Sequence, residues 1–178
     1  LSGEEMYKFL LQKKKDKDTN RKTRNSNLID KCIASDKFTE DQITELRLGC
    51  DENIKVKLYA NPEFTWRQMR VIRLGLGSYG HFLGEKYCKL SCSLEQMMVC
   101  LALIRISGLR FHKIMNSSIP IEDLPRVAKE VISTASPTYH PSEFRITEYK
   151  RVILKALAEI SKEVDYDFSF SEDSEIFK

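Results

Sequence analysis

Apolar residues recur at helical spacing in the C-terminal part of the chain. After Ser142 they line one face as far as residue 164, at Ile146, Tyr149, Ile153, Ala156, Leu157, Ile160 and Val164. After Asp123 the same spacing relates Leu124, Val127, Ala128, Val131 and Ile132. Spacings of three and four residues put side chains on one face of a helix, and no segment alternates convincingly at period two. The pattern therefore predicts an all-α fold of about seven to nine helices.

Three helix starts in the middle of the chain share a capping-box pattern. Thr39, Thr65 and Ser93 are each followed three residues later by glutamine, and in a capping box the two side chains bond the free backbone N–H groups of the first turn. Their spacing predicts a compact array of short helices in repeats of about 26–28 residues, each stabilised by packing on the next. Gly49 and Gly75 stand where C-caps are expected, which predicts helices of about two and a half turns.

The N-terminal region predicts less regular structure. Ser2 and Glu5 form a capping-box pattern for a first helix that ends near Gln12, and a short helix is expected near residues 27–35. Between them, residues 13–25 hold hardly an apolar side chain. We therefore divide the chain into residues 1–37 (helix, basic linker and short helix), 38–116 (helical repeat region), 117–164 (C-terminal helices of the same domain) and 165–178 (acidic, aromatic tail).

Composition fits one soluble globular domain. The chain has 178 residues, of which 42% are hydrophobic and 31% charged. Its longest apolar run, residues 97–104, is far shorter than the roughly 20 residues that cross a bilayer, and no signal segment is visible. The five cysteines are an odd number, which favours free thiols in a cytoplasmic protein over a disulfide scaffold.

Charge is distributed unevenly along the chain. The net charge is +3, yet the basic segment, residues 13–25, carries seven basic and two acidic side chains, whereas residues 163–178 carry six acidic side chains and one basic side chain among several aromatic ones. In one interpretation, the basic segment is a solvated linker and the acidic end is a frayed terminus. The other is a phosphate-contacting arm and a partner-docking tail. Its candidate residues are Lys13, Lys14, Lys15, Arg21, Lys22 and Arg24 in the basic segment and Asp165, Asp167, Glu172, Asp173 and Glu175 in the acidic tail.

Arginines at three-residue spacing follow the second capping box. We call Trp66, Arg67, Arg70 and Arg73 the arginine stripe. Arginine and tryptophan are enriched in protein-binding hot spots, and guanidinium groups also bind phosphate, so the stripe is a candidate surface for a protein partner or for nucleic acid. The alternative is a solvated helix face with Arg73 held in packing between repeats.

The sequence gives little support for a catalytic site or a metal-binding site. Residues 75–80 match G-x-G-x-x-G, but they follow a predicted helix rather than a strand, so we interpret them as a loop. Cys88 and Cys92 are the only closely spaced cysteines, and no C-x-x-C or H-x-x-x-H pattern accompanies them. We therefore expect no cofactor, no metal site and no catalytic constellation. A cysteine nucleophile with a distant histidine base stays an open alternative.

The segment Gln68-Met69-Arg70-Val71-Ile72-Arg73-Leu74-Gly75-Leu76, preceded by Tyr59-Ala60-Asn61-Pro62-Glu63-Phe64, resembles a short helical repeat of accessory proteins of mobile genetic elements in Gram-positive bacteria. The resemblance covers residues 38 to about 115. The first unit departs from it at Ile43, Leu46 and Cys50, and the third retains little beyond Gln96-Met97. Such proteins include antidefence factors, among them small helical anti-CRISPR proteins.

Three functions follow as expectations. The favoured one is a non-enzymatic antidefence protein that binds and inhibits a nucleoprotein effector, most specifically a Cas9-type complex with its guide RNA. The second is a helical nucleic-acid-binding regulator, and the third is an enzyme that uses cysteine or histidine. Surface arginine and aromatic residues also allow a homodimer.

Overall fold

The fold is all-α. A computed structural model describes residues 1–78, 85, 87–114 and 143–167. Within these ranges lie five α-helices and one short 3-10 helix (Val56–Leu58), and no strand. The α-helices are α1 (Gly3–Ser35), α2 (Glu40–Asp51), α3 (Trp66–Ser78), α4 (Leu94–Ile114) and α5 (Glu143–Val164). The helix predicted after Asp123 lies outside the described residues. The chain divides into two compact units, Leu1–Met69 and Arg70–Lys178.

The predicted capping boxes are all present. The hydroxyls of Ser2, Thr39, Thr65 and Ser93 accept from the backbone N–H three residues ahead, and the Glu or Gln side chain there accepts from the backbone N–H of the capping residue. Gln42 also donates from its amide nitrogen to the carbonyl oxygens of Pro62 (3.0 Å) and Phe64 (2.6 Å). One side chain thus caps α2 and fixes the loop that leads to α3.

In the first unit, α1 is a single helix, so the predicted end near Gln12 and the predicted linker over residues 13–25 were wrong. Lysine, arginine and glutamine have good helix propensity, and after Gly3 the helix contains neither glycine nor proline. Its C-terminal half packs against α2 and the 3-10 helix. The core of this unit consists of Ile29, Cys32, Leu46, Cys50, Ile54, Val56, Tyr59, Phe64 and Met69.

Gly49 and Gly75 are not C-caps, contrary to the prediction. Both lie inside helices, since α2 continues to Asp51 and α3 to Ser78. The left-handed residue that ends α2 is Asn53 (φ 57°), with Asn53 N–H bonded to the Cys50 carbonyl and Ile54 N–H to the Gly49 carbonyl. These two bonds are those of a Schellman motif. The helices are accordingly longer than predicted, at 12 and 13 residues.

The two glycines make room for tyrosines. Tyr59 donates its hydroxyl to the carbonyl of Glu45 (2.9 Å), and a Cβ at position 49 would overlap the hydroxyl oxygen. In the second unit, Tyr87 donates to the carbonyl of Val71 (2.9 Å), and a Cβ at position 75 would overlap its hydroxyl oxygen too. In both cases the accepting carbonyl lies four residues before the glycine. The same local packing therefore occurs in each unit.

In the second unit, α4 packs against α5. Of the predicted apolar face of α5, Ile153, Leu157, Ile160 and Val164 are buried, and Ala156 is half-buried. Residues 97–104 of α4 are buried without interruption. The end of α5 is fixed by Asp165 in a left-handed conformation (φ 51°), with the Tyr166 N–H bonded to the Ser161 carbonyl.

Candidate binding surface

Most cations of the basic segment are exposed along one helix. Lys13, Lys14, Lys15, Lys22 and Arg24 are exposed on the continuous helix α1, and Lys17 is exposed with them. A helix fixes the spacing of the backbone positions that carry these side chains, whereas a linker would not. Side chains of lysine and arginine arranged in this way suit contact with phosphate groups.

Arg21 differs from the other candidates in this segment. It is half-buried, and its guanidinium donates to the carbonyl oxygen of Asn53 (3.2 Å). Next to it, Asn53 donates to the carboxylate of Asp18 (2.9 Å), and the buried Asn25 donates to the carbonyl of Ile54 (2.7 Å). These bonds hold the middle of α1 on the turn that ends α2. Arg21 therefore has a structural role beside any role in binding.

The N-terminal part of α1 carries a surface that the sequence analysis missed. Residues 1–17 are all exposed, and six large apolar side chains lie among them, five of which belong to α1. We call these the arm face: Met6, Tyr7, Phe9, Leu10 and Leu11. The sequence shows these apolar residues inside the predicted first helix, but their exposure depends on packing and does not follow from their spacing.

The arginine stripe is less exposed than expected. Arg73 is only 7% exposed because it lies four residues after Met69 and three before Leu76, both of which are buried. Trp66, Arg67 and Arg70 are half-buried, and the Arg67 guanidinium stacks on the Trp66 ring at 4.3 Å from its centroid. Arg70 donates to the carbonyl oxygen of Glu163 (3.0 Å). Arg73 is thus buried rather than presented on an exposed stripe.

The start of the acidic tail is anchored. Tyr166 donates its hydroxyl to the carboxylate of Glu95 (2.8 Å), and Glu163, one turn earlier, receives a two-pronged ion pair from Arg105. Asp165 and Asp167 are exposed on either side of Tyr166. Glu172, Asp173 and Glu175 lie outside the described residues. The structure therefore presents two of the five acidic candidates next to a fixed aromatic residue.

The cysteines are free thiols, as predicted. Burial raises the pKa of Cys88 to about 12, and burial also raises the pKa values of Cys32 and Cys100. Because the thiolate is the nucleophilic form, these three side chains are weak nucleophiles at neutral pH. His81 and His140 lie outside the described residues.

The glycine motif over residues 75–80 begins inside a helix. Gly75 and Gly77 belong to α3, and this part of the motif is helical rather than the loop that we expected. The backbone N–H groups of a helix interior already have carbonyl partners, so they are not available to bind phosphate. Tyr79 and Gly80 lie outside the described residues.

Neither a metal-binding cluster nor a membrane-spanning helix is found among the described residues. Across residues 1–78, 85, 87–114 and 143–167, no three or more His, Cys, Asp or Glu side chains converge on a metal-sized site. No helix in those ranges combines the length and the apolar character needed to span a membrane. Comparison with known proteins finds no matching family model, no matching curated protein and no matching solved structure.

Proposed function

We propose that this chain is a non-enzymatic antidefence protein of a mobile genetic element, which binds and inhibits a nucleoprotein effector. The observation that carries the proposal is the basic part of α1, where lysine and arginine side chains are exposed along one continuous helix. A nucleoprotein offers both a phosphate backbone and a protein surface, and an exposed basic helix complements the phosphate backbone.

A Cas9-type effector with its guide RNA is the specific candidate. Its support is the resemblance of residues 59–76 to the repeat of mobile-element accessory proteins. The mode of inhibition we propose is contact with bound nucleic acid rather than imitation of DNA. A DNA mimic is strongly acidic, whereas this chain has a net charge of +3.

A nucleic-acid-binding regulator is the second candidate. The same exposed helix favours it, because lysine and arginine contacts to phosphate require no protein partner. Such binding is independent of base sequence and falls steeply as salt rises. The two candidates therefore differ in whether a protein is part of the target.

One experiment separates them. The purified protein is mixed with guide-loaded Cas9, with and without target DNA, and in parallel with naked DNA and guide RNA alone, at several salt concentrations. Co-elution with Cas9 that persists in salt and blocks cleavage supports the inhibitor. A salt-sensitive shift of naked nucleic acid without co-elution supports the regulator, and no binding in either arm contradicts both.

The role of α1 is tested with matched charge reversals. Lys15→Glu, Lys22→Glu and Arg24→Glu together change three exposed cations of the basic segment. The control changes three exposed lysines elsewhere, Lys57, Lys89 and Lys155, to glutamate, and has the same net charge. We expect binding to weaken at least tenfold in the first variant and much less in the control. Equal losses in both variants would show that net charge, and not α1, determines binding.

A further inference from the structure

Four of the five arm-face side chains lie on one side of α1: Met6, Tyr7, Leu10 and Leu11. Steps of three and four residues relate them, and such steps keep side chains on one side of a helix. We call this side, which these four residues define, the Tyr7 side. Phe9 lies away from it, with the Lys13 ammonium over its ring at 4.8 Å from the centroid. The four side chains are each 41–63% exposed, and a contiguous apolar cluster of this kind marks a site of association.

Two exposed lysines continue the Tyr7 side. Lys14 follows Leu10 by four residues, and Lys17 follows Lys14 by three, so both lie on the same side as the apolar cluster. Because α1 is one continuous helix here, the apolar turns and the lysines follow one another in a fixed order along it. The occupant of this side therefore meets apolar surface first and positive charge next.

The packed part of the first unit begins on this same side directly after Lys17. Asp18 and Arg21 are the next residues on it, and both bond to Asn53 at the end of α2. A flat surface therefore contacts the Tyr7 side only when α1 is inclined, with its N-terminal turns deepest. In that orientation the apolar side chains enter the surface, and Lys14 and Lys17 stay at its boundary.

An anionic lipid bilayer supplies both contacts in this order. Its acyl region accepts the apolar side chains, and its charged headgroups attract Lys14 and Lys17. Nucleic acid offers phosphate groups but no aliphatic surface to bury Leu10 and its neighbours. A second copy of the chain offers apolar surface, but Glu4 already pairs with Lys8 (3.1 Å) and so is not available to the two lysines.

We propose that the Tyr7 side of α1 is a peripheral membrane-binding site, which attaches the protein to anionic phospholipid with the N-terminal turns inclined into the headgroup region. The attachment is weak and reversible, because only four apolar side chains and two lysines take part. It strengthens with the fraction of anionic lipid and weakens as salt rises. Binding to a bilayer requires neither Cas9 nor nucleic acid.

Flotation of the full chain with phospholipid vesicles tests the proposal. We expect binding to vesicles of phosphatidylcholine mixed with phosphatidylserine, and little binding to phosphatidylcholine alone. Leu10→Glu, in the middle of the Tyr7 side, is expected to weaken binding by about tenfold or more. The matched control is Phe9→Glu, which adds the same charge at a 52% exposed position away from this side and is expected to weaken binding much less. Both positions are exposed, so circular dichroism should show unchanged helix content in both variants.

The role of the lysines is tested separately. Lys14→Glu and Lys17→Glu together are expected to weaken binding to the mixed vesicles by about tenfold or more. The control changes two exposed lysines of the second unit, Lys89 and Lys155, to glutamate and has the same net charge. We expect the control to bind almost as well as the unmodified chain.

Absence of binding to the mixed vesicles would overturn the proposal, and so would equal losses in Leu10→Glu and Phe9→Glu. Self-association that Leu10→Glu abolishes, in a chain that does not bind vesicles, would assign the Tyr7 side to a second copy. Loss of binding to naked nucleic acid in Leu10→Glu, with vesicle binding unchanged, would assign it to nucleic acid. Inhibition of Cas9 cleavage is measured without lipid, so failure of vesicle binding is distinguishable from failure of the proposed function.

Discussion

Tyr87 occupies the space beside α3 that a side chain at position 75 would need. Its hydroxyl donates to the carbonyl of Val71, and Gly75 lies one helical turn further along, against the tyrosine ring. Glycine inside a helix ordinarily lowers stability relative to alanine by about 1 kcal/mol. Here the missing Cβ admits a buried tyrosine and its hydrogen bond. Gly49 and Tyr59 show the same relationship in the first unit.

Gly75→Ala is therefore expected to destabilise the protein, although alanine is the better helix former. The new methyl group must displace the Tyr87 ring or break its hydrogen bond, and we expect a loss of about 2–3 kcal/mol. Urea unfolding followed by circular dichroism measures this loss. Gly3→Ala is the matched control, since nothing lies within 4 Å of a Cβ at that position. A stabilised Gly75→Ala variant would contradict the assigned role of the glycine.

Stability is expected to fall at alkaline pH. Burial raises the pKa of Cys88 to about 12, and it raises the pKa values of Cys100 and Tyr87 as well. Above about pH 9 the unfolded thiols lose their protons while the folded ones keep theirs, so the unfolded state binds fewer protons. The free energy of unfolding then decreases as pH rises toward the folded pKa values, by at most about 1.4 kcal/mol per pH unit for each fully buried group.

The contribution of Cys100 can be isolated by replacement. Cys100→Ala removes one titrating thiol, and the slope of stability against pH between about pH 9 and pH 12 should become shallower. Urea midpoints at a series of pH values, under reducing conditions, give this slope. The variant's lower stability at neutral pH does not affect the comparison. An unchanged slope would show that Cys100 does not keep its proton in the folded state.

Arg105 and Glu163 are expected to show measurable coupling. Their ion pair is two-pronged, and the side chains are 29% and 42% exposed, respectively. In a double-mutant cycle with Arg105→Ala and Glu163→Ala we expect a coupling energy of about 0.5–1 kcal/mol that decreases at high salt. The control cycle uses Glu4 and Lys8, an ion pair with side chains 77% and 72% exposed, for which we expect a smaller coupling. Equal coupling energies in the two cycles would mean that the two-pronged geometry and partial burial of the Arg105–Glu163 ion pair do not strengthen it.

Local signals in the sequence predicted the helix starts, because each capping box is completed by residues three positions apart. The buried face of α5 followed equally from spacing alone. The role of Gly75 could not be predicted in this way, since its partner Tyr87 is distant in sequence. Helix propensity also did not distinguish a solvated linker from a helix over residues 13–25, because a segment rich in charged and polar residues is compatible with either. Of the candidate site, the charges were visible in the sequence, whereas the burial of Arg73 and the exposure of the arm face depended on packing.

Asp36 ends α1 in a left-handed conformation, and replacing it with glycine is expected to stabilise the protein. Its φ is 57°, a value that costs energy for a residue with a Cβ, and its carboxylate lies at the negative end of the helix dipole. Asp36→Gly relieves both effects, with an expected gain of roughly 0.5–1 kcal/mol in the free energy of unfolding. Asp36→Ala removes the charge but keeps a Cβ, so it should be less stable than Asp36→Gly by about 1 kcal/mol. Lys31→Gly, inside the same helix, should destabilise the protein, because glycine is favourable only where the backbone is left-handed. If Asp36→Ala and Asp36→Gly have the same free energy of unfolding in urea, the left-handed conformation at the end of α1 costs no energy. Any gain in stability would then come from removing the carboxylate charge alone.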